Sequence, residues 1–295
     1  MADKTKQLLR VFPRRTSHTP RDRFAFVGDP PLFRPRVSEV SEVHVSVTFT
    51  WDIEKAKRLA AAWGTLYPVV KTGGPALLDP EGRFVPGRYL KPGVTFTTRG
   101  CNRKCPWCRV PAREGRLSEF AEYSPGWIIQ DNNFLQATQQ HQASVFDMLR
   151  VQPRPIEFAG GIDARLVNPW FADQLKTIRL GQLFLAADTA LAVRTLVKAR
   201  DILRDFPRKK LRSYTLIGFG NDTIAKATER LERVWEIGCI PHAQLYQPED
   251  RWINYSREWK VLSRLWSRPA AMYGMHKTAE AISDKVHQLV FPAMD

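Results

Sequence analysis

The sequence predicts an α/β protein: a partial (βα)₆ TIM-like barrel with a small N-terminal α/β appendage and a C-terminal helical extension. Strand-sized apolar runs recur six times between Val94 and Leu245, and helical stretches with usable caps and apolar stripes separate them. A chain of 295 residues with 43% hydrophobic content can bury a full core. Six strand–helix units fill part of the circuit that eight close fully, and a doubly wound sheet is the other arrangement compatible with this alternation.

Taken in order, residues 1–40 are rich in Pro and Arg, with Pro13, Pro20, Pro30, Pro31 and Pro35 interrupting any regular pattern, so an arm is expected rather than a core element. From Val43 to Thr50 the chain alternates and is β-branched, Asp52 can cap an Ala-rich helix running to Trp63, and Tyr67–Lys71 reads as a further strand. Gly73-Gly74-Pro75 marks a tight turn, which completes a small βαβ-like unit within residues 1–90. The core, 91–250, has strands predicted at Val94–Thr98, Trp127–Gln130, Ile156–Ala159, Leu183–Ala187, Ser213–Ile217 and Ile240–Leu245. Its clearest helix begins near Asp222, lays Ile224, Ala227, Leu231 and Val234 on one face, and stops at Gly238. Residues 251–295 read as helical, with Trp252, Trp259 and Trp266 expected to pack inward rather than bind a ligand.

The polar N-terminus and the absence of long apolar runs predict a soluble, cytoplasmic protein without a membrane segment. A net charge of +15, spread over Lys4–Arg36, Arg99–Arg116, Lys198–Arg212 and Arg251–Arg268, makes a nucleic acid or another polyanion a candidate partner, and a basic solvated surface is the plainer alternative. Of four cysteines, three fall within eight residues, which points to metal in a reducing compartment instead of a disulfide framework.

Those three form Cys101-x₃-Cys105-x₂-Cys108 directly after a predicted strand. Thiolates are the usual ligands of iron–sulfur clusters, and a four-iron cluster held by three leaves one iron open to a non-protein ligand. Arg99, Arg103, Lys104 and Arg109 would favour thiolates electrostatically. A structural zinc site would need a fourth ligand from as far away as Cys239 or His141, and a dithiol redox motif, Cys105-Pro-Trp-Cys108, would leave Cys101 unexplained.

This loop, with an aromatic residue before its last Cys and a six-unit βα array behind it, resembles the radical S-adenosylmethionine (SAM) superfamily over about Lys91–Pro248. The resemblance implies a [4Fe-4S] cluster on Cys101, Cys105 and Cys108, with SAM chelated at the fourth iron. It also implies reductive cleavage of SAM to a 5′-deoxyadenosyl radical and an external flavodoxin- or ferredoxin-like electron donor. Phe84–Gly93, Gln130–Asn133, Phe158–Arg165 and Trp266-Ser-Arg-Pro are similar to a compact microbial and phage subgroup. Cobalamin is not expected: Glu42-Val-His44-Val lacks the Asp and Gly of the ligand motif, and the N-terminal unit resembles a degenerate remnant of a cobalamin domain.

The remaining candidates follow predicted strands, where ligands meet a parallel sheet. Asp131-Asn132-Asn133 stands where the family often holds the SAM amino group, with an Asx turn or helix cap as the alternative. Gly161, Asp163 and Arg165 would suit ribose hydroxyls and a carboxylate, or form a turn with a surface ion pair. Gly218 resembles the adenine-binding turn, and Trp107 would face adenine or pack on the cysteine loop. Asp188 and Thr189 read as a helix N-cap, Cys239 as an inert buried thiol, His242 as a core histidine and His44 as structural. Beside a radical SAM enzyme acting on a nucleic-acid base stand two alternatives: a basic nucleic-acid-binding protein with a structural metal, and a radical SAM maturase acting on a partner protein.

Overall fold

The computed structural model describes residues 6–77 and 88–277, so 84–87 of the Phe84–Gly93 string and 278–295 of the tail lie outside the described residues. The chain divides into two compact units, one of Met1–Gly160 with Pro248–Trp252 and one of Gly161–Gln247 with Ile253–Asp295.

The first unit opens with a parallel sheet made of β1 (Gln7–Phe12), β2 (Ala25–Val27), β3 (Val40–Ser46) and, after helix α1 (Ile53–Gly64), β4 (Val70–Gly73). The strand order is β2-β1-β3-β4. The expected arm is thereby corrected: β1 is an inner strand, and its Leu9 and Val11 are fully buried with Val43, Val45, Leu59 and Trp63. Pro13, Pro20, Pro30, Pro31 and Pro35 all lie in the connections, where a missing backbone N–H breaks no ladder. Those connections are tied down by Trp63 Nε1 donating to the Gly28 carbonyl (3.1 Å) and the Tyr67 hydroxyl to that of Pro35 (2.6 Å). Asp52 stands at the α1 N-cap position but caps nothing, because Arg14 engages both its oxygens.

Along the chain then come β5 (Gly93–Thr95), β6 (Thr98–Arg99), α2 (Val110–Glu114), β7 (Ser118–Glu119), β8 (Gly126–Ile129), α3 (Gln139–Arg150) and β9 (Ile156–Asp163). β6 and β7 pair antiparallel beside the cysteine loop. The second unit continues with α4 (Pro169–Lys176), β10 (Leu180–Ala186), α5 (Ala190–Ile202), β11 (Leu211–Ile217), α6 (Ile224–Glu236), β12 (Ile240–Leu245) and α7 (Arg257–Leu265). A six-stranded sheet runs β12-β11-β10-β9-β8-β5, so the protein is α/β with parallel strands. All six predicted strands are present, but the first stops at Thr95, and Thr98 belongs to β6. α6 buries Ala227, Leu231 and Val234 as the sequence predicts; its cap is Thr223, whose hydroxyl accepts from the Lys226 N–H, while Asp222 pairs with Arg230. Trp266 is buried, but Trp252 is 62% exposed, which corrects the inward packing expected of it. Among the described residues no helix is long and apolar enough to cross a membrane.

If β1 is core, Leu9→Ala will lower stability by about 2–5 kcal/mol, measured by urea unfolding. A change within about 0.5 kcal/mol, as at ordinary surface positions, would return the segment to an arm.

Candidate metal centre

The cysteine loop leaves β6 through Gly100, whose φ of +77° is left-handed; a Cβ there would stand 2.2 Å from the Arg116 carbonyl oxygen. That close approach lets the Cys101 N–H donate to the Gly115 carbonyl at 3.2 Å. Cys101, Cys105 and Cys108 are half-buried and outside any disulfide, and the Cys108 N–H donates to the Cys105 carbonyl at 3.0 Å. Among the described residues, no three His, Cys, Asp or Glu side chains stand together as a metal-ligand group. The donor set nevertheless has the chemistry an iron–sulfur cluster requires, three cysteines within one short loop.

Two N–H donors already point at the Cys101 sulfur: the Arg103 backbone at 3.4 Å and Gln136 Nε2 at 3.5 Å. Such donors orient a sulfur ligand and tune a cluster. Gln136 also accepts from the Asn102 N–H (2.7 Å), so one amide clasps the loop at two adjacent residues. A second organiser is Glu114, whose side chain is 7% exposed. It accepts from Asn132 Nδ2 and the Gly100 N–H and pairs with Arg99 (2.9 Å) and Arg113 (3.1 Å). Burial lowers the Arg99 pKa, against which the Glu114 charge acts. Sequence reasoning missed both organisers, because a Gln after a strand and a Glu ending a short helix carry no spacing signal.

Asp131, just past the end of β8, is 2% exposed. One carboxylate oxygen accepts from the Thr97 (2.6 Å) and Thr98 (3.1 Å) N–H groups, and the other from the Thr97 hydroxyl. Burial pushes its pKa up, opposed by the Thr97 bonds. These partners make Asp131 a bolt between β8 and the entry to the cysteine loop. Gly160 lies against it: a Cβ there would fall 1.8 Å from the Asp131 carbonyl oxygen. Asn133 is buried, its carbonyl accepting from the Gln136 N–H (3.1 Å), and Trp107 and Asn132 are half-buried.

In the second unit Gly161 stands over the Tyr214 ring, and Arg165 grips Asp163 bidentately at 2.7 and 2.9 Å. A ligand at either side chain must compete with that ion pair. The Gly218 N–H donates to Asp222 (2.9 Å) and its carbonyl accepts from the Tyr255 hydroxyl (3.1 Å). Thr189 caps α5 as expected, while Asp188 accepts from the Leu216 N–H (3.1 Å). His242 packs edge-on to Tyr214, and burial followed by the Arg212 charge lowers its pKa, which favours the neutral ring. Cys239 is fully buried and its thiol is pushed up to about 12, mainly by burial. In the first unit His44 Nδ1 bonds the Tyr89 hydroxyl (2.6 Å), and its Nε2 faces Glu42. His141, weighed as a zinc ligand, lies 3.9 Å from Glu119.

No protein-family model matches this chain, and no curated protein matches it.

Thiol counting on the folded, reduced apoprotein should find three groups reactive to a disulfide reagent near pH 8, with Cys239 reacting only after unfolding; four fast thiols would contradict its burial. Gly160→Ala should lower stability by more than about 2 kcal/mol in urea unfolding, because the obstructing atom is backbone rather than a flexible side chain.

Proposed function

We propose that this protein is a radical SAM enzyme whose cluster is held by Cys101, Cys105 and Cys108. The observation that carries the reading is a loop of three cysteines outside any disulfide, set just past the first strand of a parallel sheet. The strand order supports it: β5, β8, β9, β10, β11 and β12 lie each beside its predecessor, with no reversal of direction. A doubly wound sheet would reverse at a switch point, whereas sequential order suits a partial (βα)₆ barrel.

When bound, the cluster and SAM would supply the one-electron chemistry that begins hydrogen abstraction. The chain's own residues hold and orient. The Gln136 and Arg103 N–H groups hold the Cys101 sulfur, Asp131 fixes Thr97 and Thr98 ahead of the loop, and Glu114 balances half-buried Arg99. In the first unit, Trp107, Asp131, Asn132 and Asn133 are the proposed SAM contacts, with Asp131 acting as much by positioning as by touching. In the second, Gly161, Asp163 and Arg165 at the end of β9 and Gly218 after β11 are proposed on the same chemistry as in the sequence reading. The charge of +15 favours a nucleic-acid base as substrate, with an external flavodoxin- or ferredoxin-like donor as reductant.

Anaerobic reconstitution followed by iron and sulfide analysis tests this, together with a dithionite-dependent assay for 5′-deoxyadenosine. About four irons per chain and deoxyadenosine formation, both lost in Cys105→Ala, are the expected result. One zinc per chain without SAM cleavage would leave a basic nucleic-acid-binding protein with a structural metal as the better account.

A further inference from the structure

The four-stranded sheet of the first unit has a different logic from the six-stranded one. Its order, β2-β1-β3-β4, places β1 between β2 and β3, so the connection leaving β1 for β2 and the one leaving β3 for β4 diverge. In parallel sheets, ligands bind outside the carboxyl ends of the strands at such a switch point. Residues just past those two ends form an aromatic–arginine cluster: Arg14 follows β1, and Phe49 and Trp51 follow β3.

The cluster is assembled with defined geometry. Phe49 and Trp51 stack at 4.8 Å with 9° between their planes, and Trp252 meets Trp51 edge-on at 5.1 Å. The Arg14 guanidinium lies 5.7 Å from the Phe49 ring centre and 5.9 Å from that of Trp51, oriented by its two bonds to buried Asp52. Yet Trp51 is 44% and Trp252 62% exposed. Two indoles left in water beside a fixed arginine plane make an open stacking platform, adjoined in sequence by exposed Arg15 and by exposed Arg251, the latter preceded by Glu249 and exposed Asp250.

We propose that this platform binds single-stranded nucleic acid, with bases stacking on Trp51 and Trp252 and phosphates drawn by Arg15 and Arg251. Every base has a π-face, so the contact tolerates any sequence, whereas a duplex hides its faces from it. The net charge of +15 complements a polyanion, and an open surface suits a strand better than an enclosed small molecule. This inference deepens the substrate class proposed above, but it is read without cluster or SAM, so the two can fail separately.

The test is fluorescence anisotropy of a labelled oligothymidine and oligouridine about 15 nucleotides long, titrated with the full chain and with Cys105→Ala. Trp51→Ala and Trp252→Ala should each weaken binding roughly 5- to 100-fold, and Trp51→Phe should restore most of it. The salt slope should stay unchanged in the Trp variants and fall by about 1 in Arg15→Ala. Wild-type tryptophan emission should quench on saturation, a readout that holds even where a variant folds poorly. Unchanged affinity in both alanine variants would overturn the proposal. So would equal affinity for a duplex, competition by free nucleoside monophosphate as strong as by the strand, or a wild-type dimer that dissociates when Trp252 is replaced.

Discussion

The cysteine loop depends on one buried carboxylate. Asp131 lies just past β8 and takes three donors from Thr97 and Thr98, so the entry to the loop is fixed by a residue some thirty positions away rather than by its own sequence. Removing a carboxylate from water is unfavourable, and the raised pKa records it. The three donors offset that cost, and the geometry they impose excludes other paths for Thr97 and Thr98. Gly160 belongs to the same device, since only a residue without a Cβ lets β9 approach the Asp131 carbonyl so closely.

The six core strands were legible because parallel strands buried on both faces read as short apolar runs, and the helices between them carry stripes and caps. β1 was hidden by its company. Gln7–Phe12 is a six-residue strand flanked by arginines and prolines, and composition over forty residues masked a local pattern in which Leu9 and Val11 face the core. Asp52 sits at a helix cap and Asp222 just before one, but each is taken by an arginine, Arg14 and Arg230. A cap is a local bond, and no local rule anticipates a partner brought in by the fold.

The site divides along the same line. The three cysteines stand out by spacing alone, because candidate ligands carried on one loop are close in sequence. Gln136 and Glu114 do not, since a side chain that orients a ligand is chosen by proximity in space. Asp163 and Arg165 were singled out as a pair, and the bond between them accounts for both, whatever else they contact.

The tryptophans of the tail show how position decides role. Trp266 closes a core with Leu262, Ile240 and Met272, as an aromatic on the apolar face of a helix does. Trp252 precedes α7, in the short Pro248–Trp252 segment that belongs to the first unit, and meets Trp51 edge-on. Its neighbour in the cluster, Arg14, is neutralised by Asp52. A neutralised guanidinium is a poor phosphate ligand but a good planar support, so recognition by this patch must come from stacking, and any salt dependence from the arginines beside it.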